Sequence, residues 1–257
     1  MRNFSLSIAF VAVIFAMQVF SVPLQAAGSV SKPTQAPVSI PILVYHHIRE
    51  TKPYPKTTWS WKMSVSQAVF SRQMEWIVDH GYTTIDLDTA ADILLGKRAG
   101  PLKPLVITFD DNNRSQYLLA FPLLRDRGLI ATFYFVTNRL QNKNLILEKE
   151  IQEMVAAGMS IQSHTVTHST MTALSLKKLD AELLDSRTTL EALTGKPVRH
   201  IAYPSTAQNA VVRDHAKKAG YVTGTIMDPR NATPKDDLFK LPRIMMTDDT
   251  NLKKVLP

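Results

Sequence analysis

The chain has 257 residues, 45% of them hydrophobic, which is enough for one large domain or two small ones with a sizeable buried core. It carries 30 Lys and Arg residues against 22 Asp and Glu residues, but the basic residues are scattered, and this argues against nucleic-acid binding. Cysteine is absent, which excludes disulfides, a lipoprotein anchor and thiolate metal ligands, and leaves histidine and carboxylate as the strong ligands.

The first 27 residues have the pattern of a secretory signal peptide. Arg2 precedes an apolar run over 8–20, which is short for a membrane span, and the small residues Ala26 and Ala27 follow it. We expect cleavage near these alanines and export across the inner membrane to the periplasm or the cell exterior. The alternative is that the segment stays uncleaved and serves as an N-terminal anchor.

Residues 28–39, rich in Ser, Pro and Ala, are predicted to be a linker, and residues 40–257 to form the folded domain. In this domain, β-branched apolar segments alternate with segments of helical periodicity. Strands are predicted over 40–45, 82–87, 105–111, 131–136, 159–163, 200–203 and 222–226. Helices are predicted over 66–80, 89–95, 147–157, 175–194 and 208–219, and Pro122 begins a further helical turn that ends at Gly128. Repeated strand–helix units of this kind indicate a parallel sheet.

The strand predicted over 105–111 ends in two adjacent carboxylates, Asp110 and Asp111. Because neighbouring side chains of a regular strand point to opposite faces, the pair cannot easily bind one ion together. One carboxylate would then bind an ion while the other stays free for proton transfer, a division that suits metal-assisted hydrolysis. The alternative for an isolated Asp pair is that it only caps the following helix.

A second predicted strand end, at 159–163, is followed by His164 and His168. Imidazoles four residues apart lie on one face of a helical turn, close enough to bind one cation. A carboxylate from another strand end would complete a His-His-Asp site with open positions for water and substrate. Histidine pairs at this spacing also occur on ordinary surfaces, so the combination with the Asp pair is what makes the pattern specific.

These motifs resemble those of the polysaccharide deacetylase family, the NodB-homology carbohydrate esterases. Thr-Phe-Asp-Asp at 108–111 and Ser-His-Thr-Val-Thr-His at 163–168 are similar to the first two motifs of the family. Other segments are similar to the branch that acts on poly-N-acetylglucosamine: Pro-Ile-Leu-Val-Tyr-His-His-Ile at 41–48, Gly-Tyr-Thr-Thr-Ile at 81–85, Ala-Tyr-Pro at 202–204 and Leu-Pro-Arg-Ile at 241–244. The resemblance extends over roughly residues 40–246.

The resemblance implies an α/β fold, a distorted (β/α) barrel of the NodB-homology type with about seven parallel strands. The polar residues named here fall at C-terminal strand ends, the face on which barrel active sites are built. An open, doubly wound sheet would also collect such residues on one edge, so their clustering supports a site more firmly than it supports a closed barrel.

The resemblance also implies an activity, the hydrolytic removal of N-acetyl groups from a GlcNAc-containing polysaccharide of the cell envelope or biofilm matrix. It assigns Asp111, His164 and His168 to a divalent metal, with zinc expected, and Asp110 to the general base. A zinc ion at such a site lowers the pKa of its bound water and polarises the acetyl carbonyl, while the base takes the water proton.

Two further catalytic roles follow from the resemblance. Many members carry an arginine that orients the base; Arg243, in the Leu-Pro-Arg-Ile segment, is the expected residue, and Arg199 is the alternative. Many also place a histidine near the C-terminus as the general acid, but no histidine follows His215 here. Of the two histidines that close the first strand, we expect His46 to protonate the leaving amine, with His47 as the second choice or as a substrate contact.

Substrate contacts are predicted at two places. By analogy with the family, the backbone N–H of Tyr203, beside Pro204, would hold the oxyanion; ordinary core packing is the alternative for Tyr203. Trp59 and Trp61 fall in the loop between the first strand and the first helix, where their rings could stack on sugars. The alternative is that these rings cover the core of the barrel.

The chain departs from the family pattern in two segments. Asn112 stands where glycine usually follows the Asp pair, and asparagine tolerates left-handed backbone geometry. Ser-Thr-Ala at 205–207 stands where a glycine and an aromatic residue usually follow the Tyr-Pro step. Two other classes therefore stay open, an O-acetyl esterase acting on xylan or peptidoglycan, and a non-catalytic glycan-binding relative. We expect a monomer that meets its polysaccharide alongside envelope or exopolysaccharide machinery.

Overall fold

The computed structural model describes residues 38–51 and 58–256. The predicted signal peptide and nearly all of the predicted linker lie outside these residues, so the structure does not test them. Among the residues that it describes, no helix has both the length and the apolar character needed to cross a membrane.

Seven parallel strands close into a barrel. The strands of the described residues are β1 Ile42–Tyr45, β2 His47–Arg49, β3 Ser64–Ser66, β4 Thr83–Thr84, β5 Pro104–Asp110, β6 Thr132–Phe135, β7 Ser160–Ser163, β8 His200–Ala202, β9 Thr223–Met227 and β10 Leu241–Met245. The barrel order is β1-β10-β9-β8-β7-β6-β5, and β5 pairs back with β1. β4 adds to β5 outside this ring, and β2 pairs with β3 in a separate small sheet.

Helices connect most of the barrel strands. They are α1 Trp59–Lys62, α2 Gln67–Asp79, α3 Leu87–Leu94, α4 Phe121–Arg125, α5 Glu148–Ala156, α6 Leu176–Thr194, α7 Ala210–Lys218 and α8 Leu252–Val255, with a π-helical turn over Gln116–Ala120 before α4. The side chains of Ser66 and Asp86 cap α2 and α3 by accepting backbone N–H groups of the first turn, as residues of these types commonly do. Gly195, at φ 63, ends α6 in the left-handed conformation that glycine adopts without strain.

The buried hydrophobic residues form two clusters, and the smaller one shows which end of the barrel is closed. The larger cluster joins strand residues such as Leu43 and Phe109 to α2, α4, α5, α6 and α7. The smaller one joins Ile42 and Val106, which alternate with those residues along the strands, to Leu87 and other residues of α3. Since α3 covers the starts of the strands, it closes one end of the barrel, and the opposite end is left for chemistry.

The predicted count of seven strands is confirmed, but the membership of the barrel differs from the prediction. The segment predicted as a strand over 82–87 contributes only the two residues of β4, because Asp86 caps α3 and turns the chain into a helix. Instead, β10 completes the ring. Pro242 lies inside β10 and removes one backbone N–H from it, which is why the segment does not have the pattern of a central strand.

Candidate active site

A cavity of about 560 Å³ opens at the C-terminal ends of the barrel strands. It unites residues that lie far apart in the sequence and that were predicted to act together: His46, Asp110, Asp111, His164, His168 and Arg243. They come from four barrel strands: His46 follows β1, Asp110 ends β5 and Asp111 follows it, His164 and His168 follow β7, and Arg243 lies within β10. The cavity therefore has the location expected for the active site of a barrel enzyme.

Asp110 is buried, with 2% of its surface exposed, and both of its oxygens are held by one arginine. Arg243 donates from Nη1 to Oδ1 and from Nη2 to Oδ2, each over 2.7 Å. Burial alone would raise the pKa of the Asp110 carboxyl, but the charge and hydrogen bonds of Arg243 hold that pKa well below its usual range. Asp110 is therefore an ionised, fixed carboxylate at the cavity wall.

The arginine predicted as the partner of the base is thus in contact with it. The alternative, Arg199, lies just before the start of β8, near the opposite end of the barrel. It forms a salt bridge of 3.1 Å with Asp88. His200 lies beside this second pair, 3.5 Å from Asp88, and is likewise remote from the cavity.

Asp111, His164 and His168 form a cluster suited to a metal ion. One ligand atom from each residue lies within 4.8 Å of the others. The Oδ1 atom of Asp111 is 3.5 Å from Nε2 of His168 and 4.0 Å from Nε2 of His164. The other ring nitrogen of His164, Nδ1, is 2.7 Å from the carbonyl of Ala202, which can only accept, so the Nε2 lone pair is turned to the cluster. Two imidazoles and a carboxylate are a usual donor set for a divalent metal.

The two carboxylates of the Asp pair do not point to opposite faces, as a regular strand would require. The strand ends at Asp110, and Asp111 has φ 77, so the backbone turns and both side chains line one cavity. Their surroundings nevertheless differ: Asp110 is held by the buried guanidinium of Arg243, whereas Asp111 faces two imidazoles and, at 3.5 Å, the partly exposed Arg139. The two carboxylates therefore have different surroundings, which the left-handed turn produces rather than strand alternation, and the predicted division between ion binding and proton transfer stays a prediction.

The segment between the two histidines is not a helical turn. Thr165 and His168 have φ values of 68 and 63, in the left-handed region that side chains with a Cβ rarely adopt. The imidazoles still meet, with ring centroids 4.8 Å apart and planes 78° apart. The prediction that the two imidazoles lie close together is confirmed, whereas the predicted helical turn between them is wrong.

A carboxylate that the motifs do not include supports this histidine turn. Glu182, on α6, accepts the backbone N–H groups of Val166 at 2.8 Å and Thr167 at 2.9 Å. Only 8% of its surface is exposed, and it adjoins Leu183 on the buried face of the helix. An acidic residue on an apolar helix stripe is the sequence signal that could have identified it, because a buried carboxylate needs hydrogen-bond donors.

His46 lines the cavity, and His47 does not. The Nε2 atom of His46 lies 3.8 Å from Oδ2 of Asp110. Burial lowers the pKa of His46, and the nearby Asp110 acts in the opposite direction. His47 begins β2, outside the barrel, where burial and the charge of Arg49 lower its pKa to about 4. Of the two histidines, His46 is therefore the one that lies in the cavity beside Asp110.

The predicted substrate contacts have mixed placements. Tyr203 lines the cavity, but its backbone N–H donates to the carbonyl of Thr225 at 3.4 Å, so its role towards an oxyanion stays a prediction. Pro204 is buried in the turn that follows β8. Trp61 lies on α1 and does not line the cavity, and the side chain of Trp59 lies outside what the structure describes.

Methionines, which the sequence patterns did not single out, form much of the apolar wall. Met63, Met227 and Met245 line the cavity together with Ser205 and Thr206. The thioether side chains are flexible and apolar, whereas the two hydroxyl residues come from the segment in which the chain departs from the family pattern. The cavity thus joins an apolar wall to a polar one beside the charged cluster.

Comparison with known proteins relates this arrangement to one family. A family model described as polysaccharide deacetylase matches residues 97–224 of the chain. The poly-beta-1,6-N-acetyl-D-glucosamine N-deacetylase of Staphylococcus aureus is 28% identical over 202 residues, covering 72% of this chain and 69% of that protein.

Solved structures agree with this relationship. The polysaccharide deacetylase BC0361 from Bacillus cereus is 30% identical, with a TM-score of 0.74, and the match covers 85% of this chain and 68% of that one. The Streptococcus pyogenes deacetylase PplD, solved in complex with acetate, is 27% identical, with a TM-score of 0.81, and the match covers 86% of this chain and all of that one.

The buried pair of Asp110 and Arg243 predicts a large stability effect. Replacement of one partner leaves the other charge buried and uncompensated, so Arg243→Met should lower the free energy of unfolding by about 3–5 kcal/mol. The double variant Asp110→Asn with Arg243→Met should recover part of this loss, because it buries no charge at the pair. Urea unfolding at neutral pH measures both effects.

Arg199→Met is the matched control for this experiment. Both side chains of the Arg199–Asp88 pair are 48% exposed, so solvent screens the pair and its loss should cost about 1 kcal/mol or less. A cost for Arg243→Met no greater than that for Arg199→Met would contradict the assignment of a buried, charge-compensating pair.

Proposed function

The chain belongs to the polysaccharide deacetylase family, and we propose that it hydrolyses N-acetyl groups of a GlcNAc-containing polysaccharide. One observation carries the proposal: a fixed, ionised carboxylate, Asp110, adjoins a His-His-Asp cluster in one cavity. A relative named for deacetylation of poly-N-acetylglucosamine supports this substrate class. The reaction converts an amide and water into a free amine and acetate.

Asp111, His164 and His168 are the residues that would hold the metal ion. Their ligand atoms lie close enough together for one cation, and the set of two nitrogens and one oxygen suits zinc, which we propose as the cofactor. When bound, the metal supplies a Lewis acid that lowers the pKa of a water molecule and polarises the acetyl carbonyl. The side chain of Asp111 is 24% exposed, so the cluster is open to the cavity.

Asp110 is proposed as the general base. Its oxygens accept the two hydrogen bonds from Arg243, and this fixes the plane of the carboxylate. Because the pKa of Asp110 is held low, the carboxylate is ionised across the neutral range and free to receive a proton. A low pKa also makes it a weak base, so proton transfer depends on the acidity that the metal would give the water. Arg243 thus acts on the reaction through Asp110, by keeping the base charged and oriented.

His46 is proposed as the general acid that protonates the leaving amine. It lies beside Asp110 in the cavity wall, and its backbone carbonyl accepts a hydrogen bond of 2.7 Å from Gln116, which fixes that segment. A lowered pKa makes the protonated ring a stronger acid, and the neighbouring carboxylate favours the protonated form. Proton transfer from Nε2 to the amine nitrogen would complete cleavage of the amide bond.

We also propose where the protein works. The N-terminal pattern supports export to the periplasm or the cell exterior, where envelope and matrix glycans are found.

The apolar methionine wall and the hydroxyls of Ser205 and Thr206 suit a sugar, which presents an apolar ring face and polar edges. A monomer acting alongside envelope or exopolysaccharide machinery is the arrangement we propose.

Variants of Asp110 and His168 test the two roles separately. Asp110→Asn should retain the metal but lose most turnover, because a carboxamide cannot accept the water proton. His168→Ala should lose metal and turnover together, because it removes a ligand. Metal content, measured by elemental analysis, and acetate release from GlcNAc oligomers are the two readouts. Equal loss of metal in both variants would show that the base and the ligand have been confused.

Replacement of His46 tests the general acid. Since such catalysis typically contributes about a hundredfold or more, His46→Ala should lower kcat by that order while the metal content stays the same. The alkaline limb of the pH–rate profile should flatten, because that limb reports loss of the acid's proton. His47→Ala is the control and should remain within a few-fold of the parent. A His46→Ala variant that keeps both its kcat and its alkaline limb would refute the assignment.

A further inference from the structure

The turns that carry the proposed metal ligands have an unusual backbone. Asp111 and Asn112 have φ values of 77 and 45, and Thr165 and His168 have φ values of 68 and 63. None is glycine, and residues with a Cβ rarely occupy this left-handed region. Such conformations persist only when the surrounding contacts hold them in place. The contacts that hold Asp111 are therefore part of how the cluster is built.

Asn112 makes buried contacts that help to hold the first turn. The residue is completely buried. Its Oδ1 accepts the backbone N–H of Val136 at 2.9 Å, and its Nδ2 donates to the carbonyl of the same residue at 3.2 Å. Its own carbonyl accepts the N–H of Ile146 at 3.1 Å. The side-chain amide thus pairs with both backbone groups of one residue, as a neighbouring strand would.

Val136, the hydrogen-bond partner of Asn112, belongs to a segment that also binds the histidine turn. Val136 directly follows β6. The next two residues, Thr137 and Asn138, donate their N–H groups to the carbonyls of Thr165 at 3.1 Å and Val166 at 3.0 Å. Residues 136–138 therefore bind the Asp111 turn on one side and the turn between His164 and His168 on the other.

We propose that Asn112 is a positioning residue that fixes Asp111 relative to His164 and His168 through the end of β6. The inference rests on the proposed function, since it assumes that these three residues bind a metal. It also explains the departure from the family pattern at this position. Glycine would permit the turn but could not form the two hydrogen bonds to Val136, whereas asparagine does both.

The competing explanation is that asparagine stands here only because it tolerates a positive φ. Asn112→Gly separates the two explanations, because glycine adopts the same backbone freely and lacks the amide. If the amide positions Asp111, the variant should bind zinc more weakly by about tenfold or more, the usual effect of removing a group that orients a ligand. If only backbone tolerance matters, zinc affinity should be unchanged.

The experiment measures zinc binding by calorimetry on chelator-treated protein, with thermal unfolding of the metal-free forms beside it. Asn209→Gly is the matched control, because Asn209 caps α7 by accepting the N–H of Val212 at 2.9 Å and does not line the cavity. It should bind zinc as the parent does. For Asn112→Gly with saturating zinc, kcat should fall and KM should stay near the parent value, as expected for displaced catalytic groups.

Asn112→Asp is the second variant, for use if Asn112→Gly does not fold without metal. It keeps an oxygen for the N–H of Val136 but places a second oxygen against the Val136 carbonyl, while its negative charge would by itself strengthen cation binding. We expect Asn112→Asp to bind zinc more weakly than the parent protein in spite of that charge.

Three results would overturn the proposal. Zinc affinity of Asn112→Gly within about twofold of the parent would leave the amide without the proposed role. Zinc binding by Asn112→Asp as tight as that of the parent, or tighter, would have the same meaning. A parent protein that binds no zinc would overturn the metal-dependent function together with this inference, so failure of the function is distinguishable from failure of the inference alone.

Discussion

The bidentate pair of Asp110 and Arg243 is the interaction on which the rest of the site depends. The two residues are 133 positions apart and belong to β5 and β10, which flank β1 in the barrel, so the pair spans the interior across β1. Burial of a charge is unfavourable unless it is compensated, and each partner here compensates the other. The same contact therefore fixes the orientation of Asp110, the proposed base, keeps it ionised and joins β5 to β10 across β1.

From this constraint the arrangement of the cavity follows. Since Arg243 occupies both oxygens of Asp110, Asp111 is the better candidate of the two carboxylates for a metal ligand. Asp111 can reach the imidazoles only because the backbone turns into the left-handed region directly after the strand. Buried polar side chains then hold the two turns: Asn112 holds the first, and Glu182 holds the second. The positions of the charged residues are thus set by the ends of the strands and by the side chains that hydrogen-bond to the turns after them.

Much of this could be predicted from the sequence, because the informative residues lie in short, local patterns. The Asp pair after a β-branched strand and the two histidines four residues apart gave the cluster, and the alternation of strands and helices gave the parallel sheet. What failed depended on contacts between distant segments. The segment of β10 contains Pro242 and therefore lacked the sequence pattern of a strand. Glu182 lies 14 residues after His168, and no local pattern predicted its contact with the histidine turn. The backbone angles at Asp111 and Thr165 likewise result from tertiary contacts that no spacing reveals.

We propose that the His-His-Asp cluster and Asp110 act together to hydrolyse an N-acetyl amide on a glycan. Acetate release from defined GlcNAc oligomers tests it most directly, with native protein, chelator-treated protein and the same protein after zinc is restored, and with O-acetylated xylan as the competing substrate. The native protein should deacetylate the GlcNAc oligomers, the chelator should abolish this turnover, and zinc should restore it. Turnover that survives complete removal of metal, or activity confined to the O-acetylated substrate, would contradict it.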